Sequence, residues 1–280
     1  MCELFAMSSK KPATVSMTLQ KFASHGSDDG MNKDGWGIVY YAEGDLRRFR
    51  DTGPAADSEW VKFVEKQALC STQVLAHIRG ANVGSVCLRN THPFSRELGG
   101  KMHTFAHNGY LQDIAKNESL VLQRFRTVGN TDSEWAFCAL LDRLCNLWMR
   151  DSGVPPMTER IDIIKKFAGE IRGLGLSNFL YSDGDTIFVH ADRRRQSDGQ
   201  FRAPGLWLRE QTCPGGDELI AGGGVKINSP KQTIAMAASV PLTECGWEPM
   251  EEGALVALKE GRMIATASPI TGSHESNLVI

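Results

Sequence analysis

Met1-Cys2-Glu3-Leu4-Phe5-Ala6-Met7 opens the chain and places a cysteine at the second position. Methionine aminopeptidases remove an initiator methionine when the next side chain is small, and cysteine is small enough. Removal would leave Cys2 with a thiol and a free α-amine on one residue. Such an amine titrates at about pH 8, so near neutral pH it can take the proton of a thiol whose pKa is about 8.5. The stretch therefore offers a nucleophile with its own base, although by itself it also fits an unreactive cysteine in a buried first strand.

The composition is that of an ordinary globular enzyme, with 280 residues of which 41% are hydrophobic and 23% are charged. Lys and Arg total 31 and Asp and Glu total 33, so the net charge of −2 gives no electrostatic reason to expect nucleic acid or a membrane as partner. The basic run Arg193-Arg194-Arg195 is interpreted as a solvated loop.

The first residues lack the apolar core of a signal peptide, and no stretch has the roughly 18 apolar residues of a spanning helix. We expect a cytoplasmic protein.

The seven cysteines include no C-x-x-C pair, which argues against a disulfide framework or a structural zinc site. His77, His92 and His107 are expected to form structural hydrogen bonds. His103 and His107 could share a strand face, but we predict neither a metal nor a cofactor. The glycines at 222–224 lack the pattern of a phosphate loop and are interpreted as a flexible loop.

Strand patterns dominate both ends of the chain, and helical patterns lie mainly between them. Helices are predicted at Pro12–Ser24, Ser58–Leu69, from Thr131 onward with a Thr131–Glu134 capping box, and at Ile161–Ile171. A long loop is predicted from Gly80 to Arg96, and hairpin turns are predicted at Asp183-Gly184 and Glu260-Gly261. Strands are predicted at Cys2–Met7, Gly35–Tyr41, Leu46–Arg50, Gln73–Ile78, Met102–Ala106, Leu176–Tyr181, Thr186–His190, Gly205–Leu208, Glu218–Ala221, Thr233–Ser239 and Ala254–Leu258. This order predicts one α+β domain over residues 1–280.

If Cys2 attacks an amide carbonyl, the site needs donors for the oxyanion and charged groups for the ends of the substrate. The Asn108 side chain and the Gly109 backbone N–H could donate to one oxygen, although Asn-Gly is also a common turn. Arg79, at a strand end, could bind a carboxylate, or it could simply reach water. Asp132 could hold an ammonium group, or it could only cap the helix that follows.

The chain resembles the class II glutamine amidotransferases, which are amidohydrolases with an N-terminal nucleophile, and within them the stand-alone YafJ/Dug3/EgtC type. The resemblance rests on seven segments whose joint order and spacing are specific, although each is short. They are Met1-Cys2-Glu3-Leu4, Lys33-Asp34-Gly35-Trp36-Gly37, Ala76-His77-Ile78-Arg79, Asn90-Thr91-His92-Pro93-Phe94, Ala106-His107-Asn108-Gly109, Asn130-Thr131-Asp132-Ser133-Glu134 and Ser182-Asp183-Gly184.

The resemblance implies a four-layer αββα sandwich with Cys2 exposed at the end of a central strand. It implies that Arg79 binds the α-carboxylate of a glutamine or γ-glutamyl substrate, that Asp132 binds its α-ammonium group, and that Asn108 and Gly109 form the oxyanion hole. The loop after Arg79 departs from the larger synthase members. They carry an aromatic residue next and a histidine just before the following glycine, where this chain has Gly80 and Val83.

The sequence therefore predicts an enzyme that cleaves a γ-glutamyl amide through a Cys2 thioester. A stand-alone hydrolase of γ-glutamyl compounds is favoured over a glutaminase subunit that supplies ammonia to a separate synthase partner. A third reading, of a different class, is a non-catalytic γ-glutamyl-binding module.

Overall fold

A computed structural model of the chain describes residues 2–17, 34–55, 58–80, 85–151, 153–215, 219–222 and 224–267. In chain order, the strands are β1 (Glu3–Met17), β2 (Trp36–Ala42), β3 (Asp45–Asp51), β4 (Cys70–Ile78), β5 (Phe94–Leu98), β6 (Lys101–Leu111), β7 (Gly175–Ser182), β8 (Ile187–His190), β9 (Arg194–Arg195), β10 (Phe201–Arg202), β11 (Trp207–Cys213), β12 (Leu219–Gly222), β13 (Val225–Asn228), β14 (Gln232–Ala238), β15 (Glu248–Pro249), β16 (Leu255–Lys259) and β17 (Arg262–Ala267). The α-helices are α1 (Glu59–Gln67), α2 (Asp132–Trp148) and α3 (Met157–Arg172).

Two sheets contain most of these strands. Within the described residues, the first sheet has nine strands in the order β15-β11-β14-β1-β4-β2-β3, with β13 paired to the far half of β1 and β12 paired to β13. The second sheet has the order β17-β16-β8-β7-β6-β5, and β9 and β10 form a separate ribbon. Every pairing is antiparallel.

The two sheets lie face to face, and helices cover their outer faces. A core of Leu4, Leu75, Ala106 and Leu180 with their neighbours joins residues from both sheets. A second core packs α1 against the first sheet, and a third packs α2 and α3 against the second. The layers are therefore helix, sheet, sheet and helix, which confirms the predicted αββα sandwich.

Strand β1 lies inside the first sheet, between β4 and β14. Leu4 is paired with His77 of β4, and Phe5 is paired with Ala238 of β14. Since successive side chains of a strand point to opposite faces, Leu4 enters the core between the sheets and Phe5 enters the core under the helix layer. Residues 3–9 of β1 are buried on both faces, and this explains the run of apolar residues at the start of the strand.

The helix predicted at Pro12–Ser24 is wrong as far as Met17, because β1 continues to that residue; residues 18–24 lie outside the described part of the chain. Pro12 falls in the register shift between Ser8 and Ala13, where a strand tolerates proline. Beyond it, Thr14 pairs with Asn228 and the β-branched Val15 is buried in the sheet core. Pairing with distant strands outweighs the helical spacing of the apolar residues.

Helix α2 begins as predicted, but only half of the capping box is present. The Thr131 hydroxyl accepts a hydrogen bond from the Glu134 backbone N–H at 3.3 Å. The second bond of a capping box, from the Thr131 backbone N–H to the Glu134 carboxylate, is not formed. This carboxylate accepts from the N–H groups of Val128 (3.1 Å) and Gly129 (2.6 Å) and pairs with Arg96 at 2.5 Å.

Other differences concern loops and strand ends. The predicted loop Gly80–Arg96 ends early, because β5 begins at Phe94. Strand β6 runs to Leu111, so His107, Asn108 and Gly109 lie within it rather than after it. The sequence also missed β13 and β17, whereas the hairpin turns at Asp183-Gly184 and Glu260-Gly261 are confirmed. No helix in the described ranges is long and apolar enough to cross a membrane.

Candidate active site

Cys2 directly precedes β1 and has its thiol in a cleft of about 500 Å³ between the ends of the two sheets. The Sγ atom donates a hydrogen bond to the Gly80 carbonyl at 3.3 Å and accepts one from the Gly80 N–H at 3.2 Å. Burial raises the pKa of the Cys2 thiol, and the Gly80 N–H partly opposes this rise because it favours the thiolate. The raised pKa favours the protonated thiol as the resting form of Cys2.

The structure brings all five site residues chosen from the sequence to this one cleft. Arg79, Asn108, Gly109 and Asp132 line it together with Cys2. They come from the ends of β1 and β4, the middle of β6 and the start of α2, so the packing of the two sheets assembles the group.

Asn108 connects the second sheet to Cys2. Its Nδ2 donates to the Cys2 backbone carbonyl at 2.8 Å, and its Oδ1 is 3.0 Å from Nε2 of His77. Burial lowers the pKa of His77 to about 3, so this ring is neutral near pH 7. Because Oδ1 can only accept, His77 holds its proton on Nε2, and this bond fixes the orientation of the amide.

Gly109 is placed where no other residue fits. It pairs with Ser177 of β7 and has a φ of +154°. A Cβ atom at this position would lie 1.7 Å from the carbonyl oxygen of Leu176. Glycine therefore lets β6 and β7 approach closely at the bottom of the cleft.

Arg79 follows β4 and is buried, so it does not simply reach water. Its N–H donates to the Gly35 carbonyl at 2.8 Å, and its carbonyl accepts from the Asp34 N–H at 3.2 Å. The guanidinium Nη1 donates to the Ser85 carbonyl at 3.3 Å. Asn82 and Val83, in the loop that departs from the synthase pattern, lie outside the described residues.

Asp132 is the first residue of α2, but Thr131 performs the capping. One carboxylate oxygen of Asp132 accepts from the Leu111 N–H at 2.7 Å. No residue in the described ranges forms an ion pair with Asp132, so its second oxygen is available to a cation in the cleft. The position in the first turn of a helix also stabilises the charged carboxylate.

Sequence reasoning missed a polar brace behind Cys2, formed by Glu3, Arg194 and Ser239. The buried Glu3 carboxylate pairs with Arg194 at 3.1 Å, and Arg194 also donates to the Ser239 carbonyl. The Ser239 hydroxyl accepts from the Leu4 N–H at 2.9 Å and from Asn108 Nδ2 at 3.4 Å. The solvated-loop interpretation of the arginine run is therefore wrong for Arg194. The sequence feature that could have indicated this brace is the charged residue Glu3 within an otherwise apolar strand.

The histidines of the site are held as neutral groups. His107 Nδ1 bonds the Ser133 hydroxyl at 2.8 Å in the cleft, and His103, which does not line the cleft, bonds the Tyr181 hydroxyl through Nδ1 at 2.6 Å. His92 packs its ring 4.3 Å from that of His77, and burial lowers its pKa well below the ordinary value. Neither ring nitrogen of His92 has a hydrogen-bond partner among the described residues, so the structural hydrogen bond expected for this histidine is wrong. Among the described residues, no three His, Cys, Asp or Glu side chains are arranged to hold a metal ion.

Comparisons with known proteins identify the family of the chain. The family described as class II glutamine amidotransferases matches residues 1–278. YafJ of Escherichia coli strain K12, whose name is that of a glutamine amidotransferase, is 36% identical over 248 residues, which cover 87% of this chain and 91% of YafJ.

Solved structures show the same fold. The structure of a predicted glutamine amidotransferase from Pseudomonas aeruginosa PA01 superposes with a TM-score of 0.69 and 30% identity, covering 94% of this chain and 99% of that one. The glutamine phosphoribosylpyrophosphate amidotransferase of B. subtilis superposes with a TM-score of 0.58 at 17% identity, over 96% of this chain and 50% of that one. The second match shows the fold alone. On the family match and these relatives, the chain belongs to the class II glutamine amidotransferases.

Proposed function

We propose that the cleft hydrolyses the γ-amide of glutamine or of a larger γ-glutamyl compound, with Cys2 as the nucleophile. The observation that carries the proposal is the arrangement around the sulfur. A thiol, an oriented side-chain amide, a buried arginine and an aspartate without an ion-pair partner among the described residues all line one cleft. Membership of an amidohydrolase family supports the reaction class.

The base in this proposal is the α-amine of Cys2, which becomes free when Met1 is removed. Among the described residues, the Sγ atom has hydrogen bonds only to Gly80, so no histidine or carboxylate is placed to take its proton. His77 and His107 have other partners, and burial lowers the pKa of each. An amine on the nucleophile itself needs no further side chain.

The reaction then proceeds in two steps. The amine takes the thiol proton while sulfur attacks the γ-carbonyl carbon, and the resulting oxyanion is stabilised by the Asn108 amide and the Gly109 N–H. The C–N bond breaks as the ammonium group protonates the departing amine, which leaves a γ-glutamyl thioester on Cys2. Water, deprotonated by the same amine, attacks the thioester, so glutamate leaves and the thiol is restored.

The charged residues bind the amino-acid end of the substrate. Arg79 is proposed to bind the α-carboxylate, and the second oxygen of Asp132 to bind the α-ammonium group. A cleft of about 500 Å³ lies within the range of pockets that hold drug-sized ligands. It has room for a γ-glutamyl compound larger than glutamine, which favours a stand-alone hydrolase over a glutaminase subunit.

The test is covalent trapping combined with intact mass spectrometry. A diazo-ketone analogue of glutamine should alkylate wild-type protein once, on a peptide that begins with Cys2, with loss of N₂. Cys2→Ala should remain unlabelled and inactive, whereas Cys87→Ala, at a second partly exposed cysteine, should label like wild type. Labelling of Cys2→Ala, or its wild-type turnover, would exclude this nucleophile.

Two further outcomes decide between the alternatives. Folded protein without Met1 that neither labels nor hydrolyses glutamine or γ-glutamyl anilides is a binding module. Strong glutamine hydrolysis that appears only when a partner protein is added identifies a glutaminase subunit.

A further inference from the structure

The arginine run and the β9–β10 ribbon form one wall of the cleft. Arg193, Arg194, Arg195 and Phe201 all line it. Phe201 is 55% exposed, and because it lines the cleft, its ring is accessible to a molecule bound there. We call these four residues the ribbon wall.

The order of strands places the ribbon wall on the opposite flank of Cys2 from Arg79. Strand β1 lies between β4, which ends at Arg79, and β14, which is followed by Ser239. Arg194 bonds the Ser239 carbonyl and so belongs to the β14 flank. If Arg79 holds the α-carboxylate of the substrate, the group beyond the γ-carbonyl extends toward the ribbon wall.

Within the ribbon wall, the three arginines differ in how their charges are compensated. Arg194 is paired with Glu3 at 3.1 Å, and Arg193 lies 3.7 Å from Glu252 and 3.9 Å from Asp192. Arg195 is exposed and donates only to the Gly199 carbonyl at 3.3 Å, and no described carboxylate pairs with it. Its positive charge at the edge of the cleft is therefore available to an anion.

We propose that the ribbon wall is a leaving-group site for amines that carry a carboxylate, so that the preferred substrates are γ-glutamyl amino acids or peptides. Arg195 binds the carboxylate of the leaving amine, and the exposed ring of Phe201 contacts its side chain. This inference rests on the proposed γ-glutamyl hydrolase function and specifies its substrate class. Glutamine, whose leaving group is ammonia, does not reach Arg195.

The test compares γ-glutamylphenylalanine with γ-glutamylphenylalanine amide, which differ only in the charge at the leaving-group end. Wild-type enzyme should hydrolyse the acid with a kcat/KM about tenfold higher than that of the amide, as expected for one charged hydrogen bond. The ratio should decrease at high salt, because an exposed charge is screened. Arg195→Ala should bring the ratio close to one, and Arg195→Glu should invert it.

Arg202→Ala is the matched control. Arg202 lies on the same ribbon, opposite Arg194, but pairs with Asp198 and does not line the cleft. This variant should keep the wild-type ratio. A wild-type ratio near one, or a preference that survives in Arg195→Ala, overturns the leaving-group site even when glutamine is hydrolysed. Failure to hydrolyse any γ-glutamyl substrate, glutamine included, instead refutes the proposed function.

Discussion

The side-chain amide of Asn108 donates a 2.8 Å hydrogen bond to the backbone carbonyl of Cys2, a residue 106 positions earlier in the chain. The bond crosses from β6 of the second sheet to the start of β1 in the first. It therefore sets the distance between the proposed nucleophile and the proposed oxyanion donor through the packing of the two sheets. The neutral ring of His77 holds the amide in this orientation from the other side.

Replacing Asn108 by Ala should lower kcat for γ-glutamyl hydrolysis by roughly 10²–10³, because one preorganised donor to the oxyanion is lost. KM should change little, since the donor acts mainly on charge that develops in the transition state. Steady-state kinetics separate the two parameters. A large rise in KM at unchanged kcat would show that Asn108 binds the ground state instead.

Arg79→Lys and Asp132→Asn should each raise KM by about 10- to 100-fold, because each weakens a charge-assisted bond to the substrate head group. Asp132→Asn keeps the shape of the side chain and an oxygen for the Leu111 N–H, so the fold is preserved. Butyramide, which carries the γ-amide of glutamine but neither α-group, is the control substrate. Its slow hydrolysis should not decrease further in either variant, and an equal decrease for both substrates would contradict the assigned roles.

Gly109→Ala should destabilise the protein by several kcal/mol, because the new Cβ would meet the Leu176 carbonyl at 1.7 Å and the backbone must move. Gly153→Ala is a close control for backbone conformation, with a φ of +158° against +154° at Gly109 and nothing within 4 Å of its Cβ. It should cost only about 1 kcal/mol. Urea unfolding of both variants measures the difference. Equal losses would mean that the close strand approach is unimportant.

Lowering the pH from about 6.5 to 4 should decrease the free energy of unfolding. Burial lowers the pKa of His103 to about 4, below the value of about 6.5 in an unfolded chain, so the unfolded state takes up the proton first as the pH falls. Each such histidine removes about 1.4 kcal/mol of stability per pH unit in that window. The loss between pH 7 and 4.5, measured by urea unfolding, should be smaller in His103→Gln. An identical loss would contradict the contribution of His103.

The pH dependence of kcat/KM should follow the α-amine of Cys2 and not a histidine. Burial lowers the pKa of His77 to about 3 and lowers those of His92 and His107, so these rings are uncharged above pH 6.5. We expect the rate to increase with pH, with its midpoint at about pH 8 and a plateau about one unit higher, as the amine loses its proton. An inflection at pH 6.5 in the rate profile would implicate a histidine as the base.

The sequence predicted most of the fold because apolar periodicity and turn residues are local signals. Strand β4, helix α2 and both hairpin turns are of this kind. The prediction failed at Pro12–Met17, where pairing with β13, more than two hundred residues away, determines the conformation. No local pattern contains that information.

Cys2, Arg79 and Asp132 could be chosen from the sequence because each is a reactive or charged group at the edge of an element. Asn108 and Gly109, which lie within β6, were chosen as possible oxyanion donors and on the family resemblance.

The brace of Glu3, Arg194 and Ser239 was not found, since its members are distant in sequence and only the fold brings them together. The position of the ribbon wall beside the cleft was missed for a related reason. A run of three arginines has the same appearance whether it faces solvent or a cleft, and only the strand order beside Cys2 distinguishes the two cases.

The position of β1 between β4 and β14 has a consequence for the timing of maturation. Its pairing edge toward β14 stays open until the ribosome has made residues 232–238, so the first residues lack this partner strand for most of translation. We expect the proposed removal of Met1 by an aminopeptidase to occur in that period. A fusion partner placed ahead of Cys2 would leave an acylated nitrogen in place of the proposed base.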